Sequence, residues 1–363
     1  MPHGPAAVIR FSSLGDVLLA AHVPSFLRLA DPERRVLFVT KERFAAALRG
    51  HPDIDRFYML EDGSADPAAP APLGVRGGLG DLMAHLKREG IAEVIDLHQN
   101  WRSSRVVGAL PRAKRSLPAK HAIRRRLMVH ARWLGPQAIP PILQTYRQLI
   151  GISADVPVRP WLRAALTDSE MARARERAGQ HDFLLLGVGA RWETKRWPAR
   201  HFVALGAAAG RLGLRARYAV APADHALEDE LRSLLSGDPR GEIASLGLRD
   251  AAALASFSRA IVSNDSAMLH LGQALGIPTV GVFGSTVPGF GFAPGGPRDA
   301  VAEIPLPCRP CDVHGKRRCP LRHHACMERL MPDQVLDAVA ALLGRRRTEA
   351  TTEAPPSAGV ERR

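Results

Sequence analysis

Three turns in this 363-residue chain carry the residue types that group transfer needs. In SSLGDVLLA (12–20) a strand-like run ends in a glycine turn, and Asp16 falls where a helix should begin. A carboxylate there suits a helix start, through the dipole and the orphan backbone N–H groups. At the carboxyl end of a first parallel strand it also faces a cleft, where it can take a proton from a hydroxyl. In GVGARWETKRWP (187–198) a glycine-bearing turn carries Lys195 and Arg196 ahead of a helix that Pro198 can start, which lets backbone and cation approach a phosphate. In NDSAMLHLGQALG (264–276) a polar turn at Asp265 and Ser266 precedes a helix whose N-terminus is an anion site. Neither segment is a Walker loop, and the absence of a GxGxxG fingerprint counts against a nicotinamide enzyme.

Charge points the same way. Fifty Lys and Arg against 36 Asp and Glu give a formal net charge of +14, which favours an anionic partner. Between Asp96 and Asp155 there is no acidic residue, yet Arg102, Arg105, Arg112, Lys114, Arg115, Lys120, Arg124, Arg125, Arg126, Arg132 and Arg147 lie there. Such a run is either a solvated face or a contact for an anionic substrate or membrane surface. All four cysteines, Cys308, Cys311, Cys319 and Cys326, fall in PCRPCDVHGKRRCPLRHHACM. The C-x2-C opening suits tetrahedral zinc, whereas the later spacings match no zinc finger.

The elements that must position these residues alternate between strand and helix. AAVIRF (6–11), RVLFVT (35–40), DRFYML (55–60) and EVIDL (93–97) read as strands, and 17–30 as a helix kinked by Pro24. After a turn-rich break at 151–163 the alternation restarts with FLLLGV (183–188), RYAVAP (217–222), AIVSN (260–264) and TVGVF (279–283). Strands separated by helices imply βαβ units and parallel sheets. The expected organisation is α/β, with an N-terminal Rossmann-like domain over 1–155 and a C-terminal one over 156–344 that includes the cysteine-rich loop 308–326. A closing helix over 332–343 precedes a disordered tail at 345–363. No apolar stretch approaches the roughly 20 residues needed to span a bilayer, and the first residues lack the pattern of a signal peptide. A cytoplasmic protein is expected.

These segments together resemble the signature motifs of glycosyltransferase family 9, the heptosyltransferase family. SSLGDVLLA resembles its glycine-aspartate opening, DLHQNWRS (96–103) its second strand-end motif, and TKRWP its lysine-tryptophan-proline motif. NDSAMLHLGQALGIPTVGVFGSTVP (264–288) resembles its nucleotide-binding helix and following strand. The resemblance implies a GT-B fold, two Rossmann-like parallel-sheet domains facing a central cleft. It implies Asp16 as catalytic base, Lys195 as a ligand of the donor phosphates, and Asp265, Ser266, Ala267 and His270 around the pyrophosphate, with Asp224 on the ribose. The family usually has glycine where Ala267 stands.

The reading that follows is an inverting transferase moving a sugar, heptose from ADP-heptose, onto an anionic glycolipid acceptor of the lipopolysaccharide-core type at the inner face of the cytoplasmic membrane. Arg102, Arg124, Arg125 and Arg126 are the expected acceptor contacts. No cofactor is expected to be required for catalysis, and zinc at the cysteines would be structural. The alternatives are a nucleic-acid-binding protein with a zinc module and a GT-B nucleotide-sugar epimerase; nucleic acid is not the expected partner.

Overall fold

The computed structural model describes residues 4–63, 74–134, 139–238 and 241–352. The first half runs β1 (Ala6–Ile9), α1 (Leu14–Ala20), α2 (His22–Ala30), β2 (Val36–Lys41), α3 (Glu42–Ala45), β3 (Arg56–Leu60), β4 (Gly74–Gly77), α4 (Leu79–Arg88), β5 (Glu93–Asp96), α5 (Trp101–Gly108), β6 (Lys114–Ser116), α6 (Ala122–His130) and α7 (Ile142–Ile150). The second half runs α8 (Asp168–Ala178), β7 (Phe183–Gly187), α9 (Ala199–Ala208), β8 (Arg215–Val220), α10 (His225–Leu234), β9 (Gly241–Ser245), α11 (Leu248–Ala255), β10 (Ala260–Asn264), α12 (Ala267–Leu275), β11 (Thr279–Val282), β12 (Asp299–Ala302), α13 (Ala325–Glu328) and α14 (Pro332–Thr352).

Each half is built on a six-stranded parallel sheet, in the orders β4-β3-β2-β1-β5-β6 and β12-β11-β10-β7-β8-β9. The central strands β1, β7 and β10 are buried throughout, as expected where helices cover both faces of a parallel sheet. Register runs Ala6↔Val36 to Ile9↔Val39 on one side of β1 and Ala6↔Glu93 to Ile9↔Asp96 on the other. This brings the carboxyl ends of β1, β2 and β5 to one edge, where the loops that follow them gather. Between α7 and α8 the chain forms neither helix nor strand, and the turn-rich 151–163 lies there. The halves share apolar core: Leu18, Val23 and Phe26 belong to one cluster with Trp161, Leu271 and Ala274.

Four short strands, β4, β6, β9 and β12, are absent from the sequence reading. All four are the outermost strands of their sheets, each with a single buried residue; edge strands need no continuous apolar run. Residues 64–73, between β3 and β4, lie outside the described residues. The helix expected to kink at Pro24 is instead two helices that meet at Ala21. Pro24 then sits in the first turn of α2, where a missing N–H costs nothing. At the C-terminal end α14 continues to Thr352, past Arg345, where the sequence reading begins the tail. No helix breaker intervenes before Pro355, and helices end ahead of proline. Residues 353–363 lie outside the described residues. No helix among the described residues is long and apolar enough to cross a membrane.

Candidate active site

A cavity of about 1450 Å³ opens between the two sheets, walled by the loops at their carboxyl ends. Single-ligand pockets run to roughly 300–1,000 Å³, so this one has room for two substrates. Asp16, Lys195, Asp224, Asp265, Ser266, Ala267 and His270 all line it.

On the N-terminal side, Ser13 opens α1 and Asp16 closes back on it, its Oδ2 accepting from Ser13 N at 3.0 Å and Ser13 Oγ at 2.8 Å. The same oxygen pairs with Arg10 Nη2 at 2.7 Å. Among the described residues Oδ1 takes no hydrogen bond. Burial opposes ionisation of Asp16, but the Arg10 guanidinium and the Ser13 bonds outweigh it and hold the carboxyl below its ordinary range. Arg10 is fixed in turn by the Leu97 carbonyl, to which its Nη1 donates. Burial, then Arg10, pushes His98 down to about 4, and burial raises Tyr146 to about 12. Both residues line the cavity and both stay neutral at neutral pH.

Opposite stands the turn that follows β7. Asn264, wholly buried at the end of β10, donates to the Val188 carbonyl at 2.7 Å and accepts from Trp197 N at 2.9 Å. Trp197 is buried too, its indole N–H on the Leu330 carbonyl at 2.9 Å. Arg196 closes the turn through the Ala190 carbonyl at 2.8 Å and Asp224 at 3.2 Å. Lys195 is thereby aimed into the cavity, where its ammonium meets Asp265 Oδ2 at 2.6 Å. Thr286 Oγ1 donates to that carboxylate oxygen at 2.7 Å.

α12 joins the two sides. Ser266 is its N-cap and Ala267 its first residue, and the Ser266 side chain caps no backbone N–H but lies 3.1 Å from Ser263 Oγ. His270 is buried, with Nδ1 3.1 Å from Gln273 Oε1, and burial holds its pKa below the ordinary value. Two glycines let α12 come this close to both halves. A Cβ on Gly15 would sit 2.7 Å from His270 Cδ2, and one on Gly187 would sit 2.7 Å from Met268 Cγ. The SSLGD turn and the NDSAMLH helix, some 250 residues apart in sequence, therefore touch only because Gly15 has no side chain.

The four arginines expected at the acceptor do not act as one group. Arg125 and Arg126 line the cavity, while Arg102 and Arg124 do not. Arg125 reaches across to the second half, donating to the Phe290 carbonyl at 3.0 Å with its guanidinium 4.6 Å from the Phe292 ring centre. Arg102 lies over the Trp101 ring. Sequence reasoning missed Arg10, whose one signal was a charge ending an otherwise apolar strand, and it missed the cavity residues of the cysteine-rich segment, Asp312, Val313 and His314. That segment props the Lys195 turn: Thr194 N and Oγ1 both donate to the Lys316 carbonyl at 3.1 Å, and Cys311 N donates to Ser285 O at 3.0 Å. The four thiols are unpaired by disulfide. Cys326 is raised to about 11 by burial first, with Cys311, Cys308 and Cys319 adding to it. Among the described residues no three His, Cys, Asp or Glu stand in an arrangement that could hold a metal ion.

A Pseudomonas aeruginosa lipopolysaccharide heptosyltransferase 1 is 29% identical over 180 residues, 44% of this chain and 48% of that protein. A Campylobacter jejuni lipooligosaccharide heptosyltransferase 2 is 32% identical over 91 residues, 24% of this chain and 26% of that protein. The chain thus matches about a quarter to about half the length of these curated relatives. The solved structure of E. coli ADP-heptose lps heptosyltransferase II superposes with a TM-score of 0.69 at 17% identity, over 94% of this chain and 99% of that one. At that identity the likeness is one of fold, and the fold is GT-B. The family model of glycosyltransferase family 9 (heptosyltransferase) matches residues 80–321, well over half of the chain. The chain belongs to that family.

Proposed function

We propose that this protein is an inverting glycosyltransferase that moves heptose from ADP-heptose onto an acceptor of the lipopolysaccharide-core type. The observation that carries the reading is the opposition, across one cavity, of a carboxylate with an unengaged oxygen and a lysine beside the N-terminus of α12. Asp16 Oδ1 takes the proton of an acceptor hydroxyl. The freed oxygen attacks the anomeric carbon from the face away from the nucleotide, and the bond to the diphosphate breaks as the new bond forms. Lys195 and the N–H groups that open α12 meet the charge that develops on the leaving diphosphate. Asp265, already paired with Lys195, holds that ammonium in place rather than touching phosphate itself. Ser266, Ala267 and His270 shape the pyrophosphate site, and Asp224, steadied by Arg196, accepts from the ribose hydroxyls.

Arg125 and Arg126 give the acceptor side of the cavity its positive charge, matching the phosphates and carboxylates of an anionic glycolipid. The enzyme would work at the cytoplasmic face of the membrane. No step needs a metal, because side-chain cations and helix N–H groups supply the charge. Full turnover after exhaustive chelation is the expected result, and loss of turnover restored by a divalent ion would overturn it. Identity of the donor is tested by thermal stabilisation: ADP and ADP-heptose should raise the melting temperature and UDP-sugars should not. Stabilisation by UDP-sugars alone would replace the donor, and consumption of donor without any acceptor would replace transfer by epimerisation.

A further inference from the structure

Ten large apolar side chains are exposed among the described residues, and five of them fall between positions 101 and 133. They are Trp101 (61% exposed), Leu117 (52%), Ile123 (73%), Leu127 (37%) and Trp133 (83%). Single exposed apolar residues are ordinary on a soluble surface, but these stand on segments fastened to one another. Gln99 Nε2, just ahead of Trp101, donates to the Pro118 carbonyl at 2.6 Å, next to Leu117. Lys120 donates back to the Gln99 carbonyl. Arg125 Nη1 donates to the Lys120 carbonyl at 2.8 Å and so ties α6 to the same loops. On α6, Ile123 and Leu127 are one turn apart and share a face, while Met128 and Val129 turn inward against Phe290. Trp133 follows the helix, and Arg132 beside it donates to the Val129 carbonyl at 3.0 Å.

The same stretch has no carboxylate from residue 97 to residue 154. Exposed apolar side chains interleaved with arginine and lysine, without acidic residues, match the headgroup boundary of an anionic bilayer, where the aliphatic and indole groups enter the acyl layer and the cations meet phosphate. A protein partner of either charge would not require this one-sided composition. The surface also borders the cavity, since Gln99, Pro118, Lys120, Arg126 and His130 line it.

We propose that α6 and the loops after β5 and β6 form a membrane-insertion surface, with Ile123, Leu127 and Trp133 as its apolar anchors, seating the mouth of the cavity on an anionic lipid bilayer. This inference does not depend on the sugar transferred, and its test uses lipid without acceptor. The full-length protein is floated with vesicles of pure phosphatidylglycerol and, separately, of pure phosphatidylcholine. It should float with the first, less so as salt rises, and not with the second. Ile123→Ser, Leu127→Ser and Trp133→Ser together should weaken binding to phosphatidylglycerol by about tenfold or more. The variant's unchanged melting temperature and unchanged stabilisation by ADP would show that it is folded. In Trp133→Phe, quenching of tryptophan fluorescence by brominated lipid should fall. Flotation unaltered by the triple replacement, equal binding to both lipids, or binding to neither would overturn the proposal. Salt-sensitive binding to duplex DNA without flotation would assign the surface to nucleic acid instead.

Discussion

Two acid–base pairs face each other across the cavity, Arg10 with Asp16 at 2.7 Å and Lys195 with Asp265 at 2.6 Å, and the same interaction is built in opposite senses. In the first the carboxylate is the more exposed partner, 26% against 17% for Arg10; in the second it is the cation, 15% for Lys195 against 9% for Asp265. The less exposed member is anchored elsewhere in each case, Arg10 on the Leu97 carbonyl and Asp265 by Thr286 Oγ1. An anchored charge holds its partner in one geometry and leaves that partner's remaining valences to the cavity. Asp16 keeps Oδ1, and Lys195 keeps two N–H bonds. On the proposed mechanism Lys195 and Asp265, both read from sequence as ligands of the diphosphate, divide into one working group and one support.

The largest expected effect breaks the first pair on its working side. Asp16→Asn keeps the shape and the contact with Ser13 but cannot accept a proton. Turnover should fall by about 10²- to 10⁴-fold, equivalent to roughly 3–5 kcal/mol of barrier, with ADP affinity unchanged. Turnover within a few-fold of wild type would make Asp16 a helix-terminus residue only, in which case Asp16→Ala should cost about 1 kcal/mol of stability and little else.

Next comes the working side of the second pair. Lys195→Ala removes a charge-assisted contact worth about 1.5–3 kcal/mol, so ADP binding should weaken by roughly 10- to 100-fold. Calorimetric titration with ADP measures it, and equal affinities in variant and wild type would take Lys195 out of the donor site. Its support should matter less, and in a telling direction. If Asp265 only orients Lys195, Asp265→Asn should weaken ADP by up to about tenfold. If Asp265 faced the phosphates itself, removing its charge would instead tighten ADP, because a like-charge repulsion is lost.

How much of this was legible in the sequence follows from how local each signal is. Asp16, Lys195 and the start of α12 each sit on a strand–turn–helix step whose hydrophobic pattern and turn residues lie within a dozen positions, and all three line the cavity. The buried strands were legible for the same reason. The pairings were not. Arg10 reads as a strand-end charge until β1 and α1 fold back on each other, and nothing in the sequence pairs Asp265 with Lys195, which the β7 turn delivers onto it. Gly15 signals a turn in sequence, yet its larger consequence is the approach of His270 from the other half. The short edge strands escaped because their pairing, rather than their composition, makes them strands.

The smallest effect at neutral pH, and the sharpest test of the comparison, lies in the support of the first pair. Arg10→Met removes the opposing charge and one hydrogen bond from Asp16 but leaves its burial, which favours the protonated acid. In the wild type the carboxyl titrates below its ordinary range, so the base is ionised throughout the neutral region, and its stabilising pairing is lost only as pH falls through that lowered value. With Arg10 gone the pKa must rise, and the acid limb of kcat should move toward neutral pH while turnover at about pH 8 changes little. His98 also loses a neighbouring cation, but burial is the first cause of its low pKa of about 4 and remains. Combining Arg10→Met with Asp16→Asn separates the two groups: the residual turnover of the double variant should show no displaced limb if Asp16 is its source. A limb that stays where it was in Arg10→Met would mean that Arg10 braces the turn mechanically without setting the proton affinity of the base. The two pairs would then differ in kind, an electrostatic support for Lys195 and a purely geometric one for Asp16.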